Sequence, residues 1–157
     1  VVDVLPVLEQ VMRMMSLIAQ EKGTELTYRS EGTCTVLSSR DEIHQIIYNL
    51  TDNAVKYSPS GSTVQVSLFR EAGQVVLTVE DNGAGIPEED LPRLFERFYR
   101  VDKARSREVG GTGLGLSIVS DTVRRRGGTV SVAHRPAGQG TLFTVRLPQV
   151  TEEGGST

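Results

Sequence analysis

The sequence has 157 residues, 38% of them hydrophobic and 24% charged, which fits one globular domain and is too apolar for a disordered chain. Its 17 Lys and Arg against 20 Asp and Glu leave a formal charge of −3, so no overall positive field draws in nucleic acid or an anionic membrane. The single cysteine, Cys34, excludes an internal disulfide and a cysteine-built zinc site, and no apolar run reaches the ~18 residues of a bilayer span.

The chain begins Val-Val-Asp without methionine or a signal-like stretch and is expected to be a segment of a longer protein. Residues 4–21 place Leu5, Leu8, Met12, Met15 and Ala19 at three- and four-residue steps, which predicts an amphipathic helix stopping at Lys22-Gly23. Two short strands are expected at 26–30 and 33–37, joined as a tight hairpin by Glu31-Gly32. A second helix follows N-cap candidates between Ser38 and Asp41, buries Ile43, Ile46, Ile47, Leu50 and Ala54, and stops before Ser58-Pro59-Ser60-Gly61. Valine-rich strands at 63–69 and 74–80 flank the hairpin loop Glu71-Ala72-Gly73. Beyond a glycine-punctuated loop come a short helix from Glu88 to Phe95 and a long basic loop over 97–112. A third helix is expected over 113–126, then a hairpin of strands 129–135 and 140–147 and a polar tail. The fold class is therefore α+β: a two-layer sandwich with three main helices on one face of a mostly antiparallel mixed sheet.

Four places invite chemistry, one of them the basic loop Arg97–Arg107, which could close over a triphosphate as a lid or simply be solvated. On the second helix, Asn49, Asn53 and Lys56 fall along one flank of the apolar stripe. Two amides and an ammonium suit a polyanion and its metal ion, since magnesium carried by phosphates takes few protein oxygens; a plain solvated flank is the alternative. Asp81-Asn82-Gly83-Ala84-Gly85 puts a carboxylate at a strand end before flexible backbone, where it could accept from an exocyclic amine or simply close an Asx turn. Gly110-Gly111-Thr112-Gly113-Leu114-Gly115-Leu116 leads into a helix, an arrangement that exposes free amides to phosphate. It is neither a Walker loop nor the dinucleotide Gly-x-Gly-x-x-Gly pattern. His44 and His134 lack metal-spaced partners, Cys34 reads as a small buried apolar residue, and Met12, Met14 and Met15 read as packing.

Taken in order, these places resemble the catalytic and ATP-binding domain of bacterial sensor histidine kinases, a Bergerat-type fold of the gyrase, heat-shock chaperone, kinase and mismatch-repair superfamily. Asn49-Leu-Thr-Asp-Asn53-Ala-Val-Lys56-Tyr57 resembles its N box, and Asp81-Asn-Gly83-Ala-Gly85-Ile86 its first glycine box. Leu94-Phe95-Glu-Arg97-Phe98-Tyr99-Arg100 resembles the phenylalanine box, and Gly111-Thr-Gly113-Leu-Gly115-Leu116 the second glycine box. The likeness spans residues 4–148, with 149–157 as a disordered tail. The string from Arg97 to Arg107 is most similar to the membrane-bound phosphate-sensing and cell-wall-sensing subgroups.

Residue by residue, the resemblance implies that Asn53 coordinates Mg2+ while Asn49 and Lys56 face the phosphates of ATP. Tyr57 would stack near the base, and Asp81 would accept the adenine amine with Thr141 supporting the same pocket. Gly83, Gly85, Ile86 and Phe98 would line the nucleotide. Gly111, Thr112, Gly113, Leu114, Gly115 and Leu116 would cradle its phosphates beneath a lid of residues 87–112. Arg97, Arg100, Lys103 and Arg105 are candidates for γ-phosphate contact or for docking a partner domain, with Asn49, Lys56 and Arg97 the candidate catalytic residues.

The superfamily's ATPases carry a glutamate one turn before the metal-binding asparagine, where it activates water. Here that position is Asn49, and an amide cannot take a proton from water near neutral pH. The resemblance therefore implies a protein-histidine kinase module. The resemblance also implies that the phosphoacceptor histidine lies on a separate dimerisation domain; neither His44-Gln45 nor His134-Arg135 matches the acceptor pattern. It further implies a response regulator downstream, no nucleic-acid or membrane contact by this segment, a monomeric segment of a homodimeric parent, and a cytoplasmic domain of a bacterial cell-membrane protein. The rival readings are a catalytically silent nucleotide-binding module and a hydrolysing ATPase or serine kinase of the same superfamily.

Overall fold

Asp3 and Ser39 start the first two helices. The Asp3 carboxylate accepts from the Leu5 amide at 3.3 Å and Ser39 Oγ accepts from the Glu42 amide at 3.1 Å, each satisfying an amide that a helix N-terminus leaves free. In the computed structural model, which describes residues 1–83, 95, 115–135 and 140–150, α1 spans Val4–Lys22 and α2 spans Arg40–Tyr57. Gly23 ends α1 in the left-handed region at φ 81°, where its amide and that of Thr24 reach the last carbonyls. α2 has no glycine at its end, and side chains take over. Ser58 Oγ donates to the Ala54 carbonyl at 2.6 Å, and Lys22 Nζ, from α1, donates to the carbonyls of Val55 and Lys56.

The strands are β1 (Val2–Asp3), β2 (Glu25–Ser30), β3 (Thr35–Val36), β4 (Thr63–Glu71), β5 (Gln74–Asp81), β6 (Thr129–His134) and β7 (Thr141–Pro148), with α3 over Gly115–Arg125 before β6. Five strands form one sheet in the order β2-β4-β5-β7-β6, antiparallel except for the parallel pair β2–β4. The β4–β5 hairpin is tighter than the sequence suggests: Glu71 pairs with Gln74, leaving Ala72 and Gly73 as a two-residue turn with φ of 52° and 77°. Both positive values are what such a turn requires.

One expectation fails. β2 and β3 do not form a hairpin; β3 instead pairs antiparallel with the unanticipated β1, while β2 pairs in parallel with β4. The parallel pairing needs a crossover, which α2 supplies. It also places Leu26 beside Val64 and extends the sheet beneath α1. Gly32, at φ 73°, turns the chain away before Cys34, Thr35 and Val36 bury themselves. The β1–β3 pair is held from the far end of the chain, where the Val150 amide donates to the Thr35 carbonyl at 2.9 Å and Gln149 Nε2 donates to the Thr33 carbonyl at 3.3 Å.

The core lies between the layers. Alternate residues Val64, Val66 and Leu68, Val75, Leu77 and Val79, and Phe143, Val145 and Leu147 are buried on one face of the sheet. Over them lie Leu8, Val11 and Met15 of α1, Ile43, Ile47 and Leu50 of α2, and Val119 and Val123 of α3. α1 packs on β2, α2 on β4 and β5, and α3 on β6 and β7. This is the expected α+β two-layer sandwich. Met12 and Met15 are buried, as is Cys34, while Met14 is exposed. No helix among the described residues is long and apolar enough to cross a membrane.

Candidate functional site

α2 carries the polar flank. Its buried stripe fixes the helix's rotation over β4 and β5, which leaves Asn49, Asn53 and Lys56 half-buried beside that stripe. Lys56 Nζ lies 3.2 Å from Asp52 Oδ2, one turn back. The first described residue of α3, Gly115, lies against Asn49: a Cβ built on the glycine would sit 3.6 Å from Asn49 Oδ1. The helix behind the second glycine-rich segment and the amide flank of α2 are therefore in contact. Leu116, next in α3, is half-buried against the core.

The end of β5 forms the other side. Asp81 pairs with Thr141 of β7 on one edge and Val64 of β4 on the other. Its Oδ1 accepts from the Gly83 amide at 2.9 Å. Burial pushes the Asp81 carboxyl above the usual carboxylate range, opposed by the hydrogen bonds of Gly83 and Thr141 and by the Arg135 charge. Gly83 itself is buried, and a Cβ there would stand 3.2 Å from both Asp81 Oδ1 and Pro59 Cδ. A side chain at this point would crowd the carboxylate. Pro59, just beyond α2, thus links the amide flank to the carboxylate. Gly140 closes the far wall; its Cβ would fall 1.9 Å from the Asp81 carbonyl oxygen, a distance no side chain tolerates.

The structure thus brings together Asn49 with Gly115, and Asp81 with Gly83 and Thr141. Lys56 is turned to Asp52. The side chain of Tyr57, together with Gly85, Ile86, Arg97, Phe98, Arg100, Lys103, Arg105, Gly111, Thr112, Gly113, Leu114 and the expected lid, lies outside the described residues. Within the phenylalanine-rich segment Phe95 is described, and its ring meets Phe143 edge-on at 6.2 Å. Two contributors escaped the sequence reading: Asp52 drew no reading of its own, and Pro59 read only as a helix stop.

Behind the site, Glu42 ties the start of α2 to the end of α3. It accepts from Arg126 Nε at 2.8 Å, from Arg125 Nη1 at 3.2 Å and from Ser38 Oγ at 2.9 Å.

The family described as histidine kinase-, DNA gyrase B-, and HSP90-like ATPase matches residues 38–151. The chain belongs to that family. Its relatives are sensor histidine kinases. It is 38% identical over 151 residues to the sensor-like histidine kinase SenX3 of Mycobacterium tuberculosis, a match covering 96% of this chain and 37% of SenX3. Among solved structures it superposes on the mycobacterial sensor histidine kinase MprB with a TM-score of 0.83 at 31% identity, covering 94% of this chain and 97% of that one. Full-length ShkA in complex with AMPPNP gives a TM-score of 0.81 at 34% identity over 94% of this chain and 30% of that one. The chain is thus the ATP-binding catalytic domain of a sensor histidine kinase, spanning little more than a third of SenX3's length.

For a histidine kinase domain the donor set suits a nucleotide-borne cation. Among the described residues no group of three or more His, Cys, Asp or Glu could hold a metal by itself. What α2 offers is a pair of neutral amide oxygens, which suits an ion whose remaining ligands are phosphate oxygens and water. At the end of β5 the Asp81 carboxylate supplies an acceptor for an amine.

Proposed function

We propose that the chain binds Mg2+·ATP between α2, the end of β5 and the start of α3, and delivers the γ-phosphate to a histidine on a separate dimerisation domain. Asp81 accepts the adenine amine with Thr141 beside it, Asn53 holds the magnesium ion, and Asn49 and Lys56 face the phosphates. Magnesium supplies charge neutralisation at the transferring group, which is most of what phosphoryl transfer asks of an enzyme. The observation that carries this reading is the contact of Gly115 with Asn49. It sets the helix behind the second glycine box against the N box, with an amide where a hydrolase needs a base.

Full-length ShkA, on which this chain superposes, was solved in complex with AMPPNP, which supports nucleotide binding here. Beyond this domain, the reading implies a homodimeric parent held at a bacterial cell membrane, with this domain monomeric in the cytoplasm. A response regulator would receive the phosphate. Calorimetric titration with ATP, in magnesium and then in EDTA, tests the core of it. Micromolar, magnesium-dependent binding without turnover is expected. An absence of binding would overturn the kinase reading and leave a silent regulatory module.

A further inference from the structure

Asp52 and Lys56 stand one turn apart on the outer flank of α2, their charged atoms 3.2 Å apart, with side-chain exposures of 18% and 35%. The order, acid before base at i and i+4, is the favourable one on a helix. Lys56 is also the cation of the amide flank, so Asp52 holds the group that a polyphosphate would want. Asp52 sits three residues after Asn49, hence on a neighbouring part of the same face.

Resting on the nucleotide reading above, we propose that Asp52 is a positioning residue that competes with the phosphates for Lys56 and so sets how tightly nucleotide is held. With the site empty, the carboxylate neutralises Lys56 and keeps it aligned along the helix. When a triphosphate arrives, Lys56 must leave Asp52, and the freed carboxylate becomes a like charge beside the phosphates. Both effects oppose binding, so Asp52 favours release. A pair exposed to this degree contributes little, which bounds the effect to about 2- to 5-fold in affinity.

The test measures dissociation constants for ATP and for adenosine, by displacement of a fluorescent ATP analogue, in the unmodified chain and in Asp52→Asn, Asp52→Ser, Lys56→Met and the double variant Asp52→Asn/Lys56→Met. Both Asp52 variants are expected to tighten ATP about 2- to 5-fold and to leave adenosine unchanged, and the gain is expected to shrink once Lys56 is gone. A residue serving only the helix would loosen α2 on removal and weaken both ligands. Unchanged or weaker ATP binding by the Asp52 variants would overturn the proposal, as would a full-sized gain in the Lys56→Met background. ATP binding by the unmodified chain, weakened by Lys56→Met, isolates that failure from failure of the nucleotide reading; no ATP binding at all would overturn both.

Discussion

Asp81 shows how one side chain can be costly for folding and suited to binding. Burial raises its pKa against the opposing pull of Gly83, Thr141 and Arg135, so the folded state holds the proton more tightly than the unfolded chain does. Its contribution to stability is then complete below the unfolded pKa and is lost as pH rises through the folded one. At neutral pH the ionised carboxylate opposes folding. Asp81→Asn keeps an acceptor for the Gly83 amide and removes the charge, so its melting temperature at neutral pH should not fall. In the proposed complex the same change replaces a charged acceptor for the adenine amine, which should weaken ATP by about 1.5–3 kcal/mol, or about 10- to 150-fold. The gap in affinity between the two proteins should close as pH is lowered through the raised pKa, above the range where exposed carboxylates titrate. Calorimetry and thermal melts over a pH series check all three outcomes; a variant that lost stability and binding together would mark Asp81 as scaffold.

At the scale of elements, the site depends on α2 and α3 keeping their relative position, and Glu42 is one tie between them. Burial alone would raise its pKa, but hydrogen bonds from Arg126, Ser38 and the Ser39 backbone, with the Arg126 charge, outweigh it and hold the carboxyl below its usual range. The tie is therefore complete above the unfolded pKa and is lost as pH falls through the lowered folded value. Glu42→Ala should cost about 1–2 kcal/mol in urea melts at neutral pH, and the difference from the unmodified chain should vanish in acid. Periodicity in the sequence placed α1, α2, α3 and the β4–β5 and β6–β7 hairpins, because each buries one regular face. It located β2 and β3 but mispaired them, since a six-residue strand and a two-residue strand carry little alternation and their partners, Val64 and Val2, lie far along the chain. The site divided in the same way. Asn49, Asn53, Lys56, Asp81 and the glycines were legible as local motifs, whereas Pro59 beside Gly83, and Asp52 holding Lys56, come from geometry that no motif spells out.

For the molecule as a whole the question is what becomes of a bound triphosphate. In the proposed complex Asn49 would face the phosphates from α2, against the start of α3. Its amide can donate and accept hydrogen bonds but cannot take a proton from water at neutral pH. On that proposal the γ-phosphate would be kept from solvent attack until a histidine on another domain presented a better nucleophile. Asn49→Glu would supply the missing base. Gly115, which lies against Asn49, presents no side chain to the one extra methylene. A well-placed base is worth about 10²–10⁴-fold in rate; a base set into a site not shaped around a water should gain less, and a rise of about tenfold in phosphate release is expected. ATP affinity measured on the same variant makes the result readable. A rise with binding retained would show that the amide at position 49 is what makes the domain a kinase rather than a hydrolase. Unchanged hydrolysis with binding retained would mean that the placement of water, rather than the chemistry of that one side chain, protects the nucleotide.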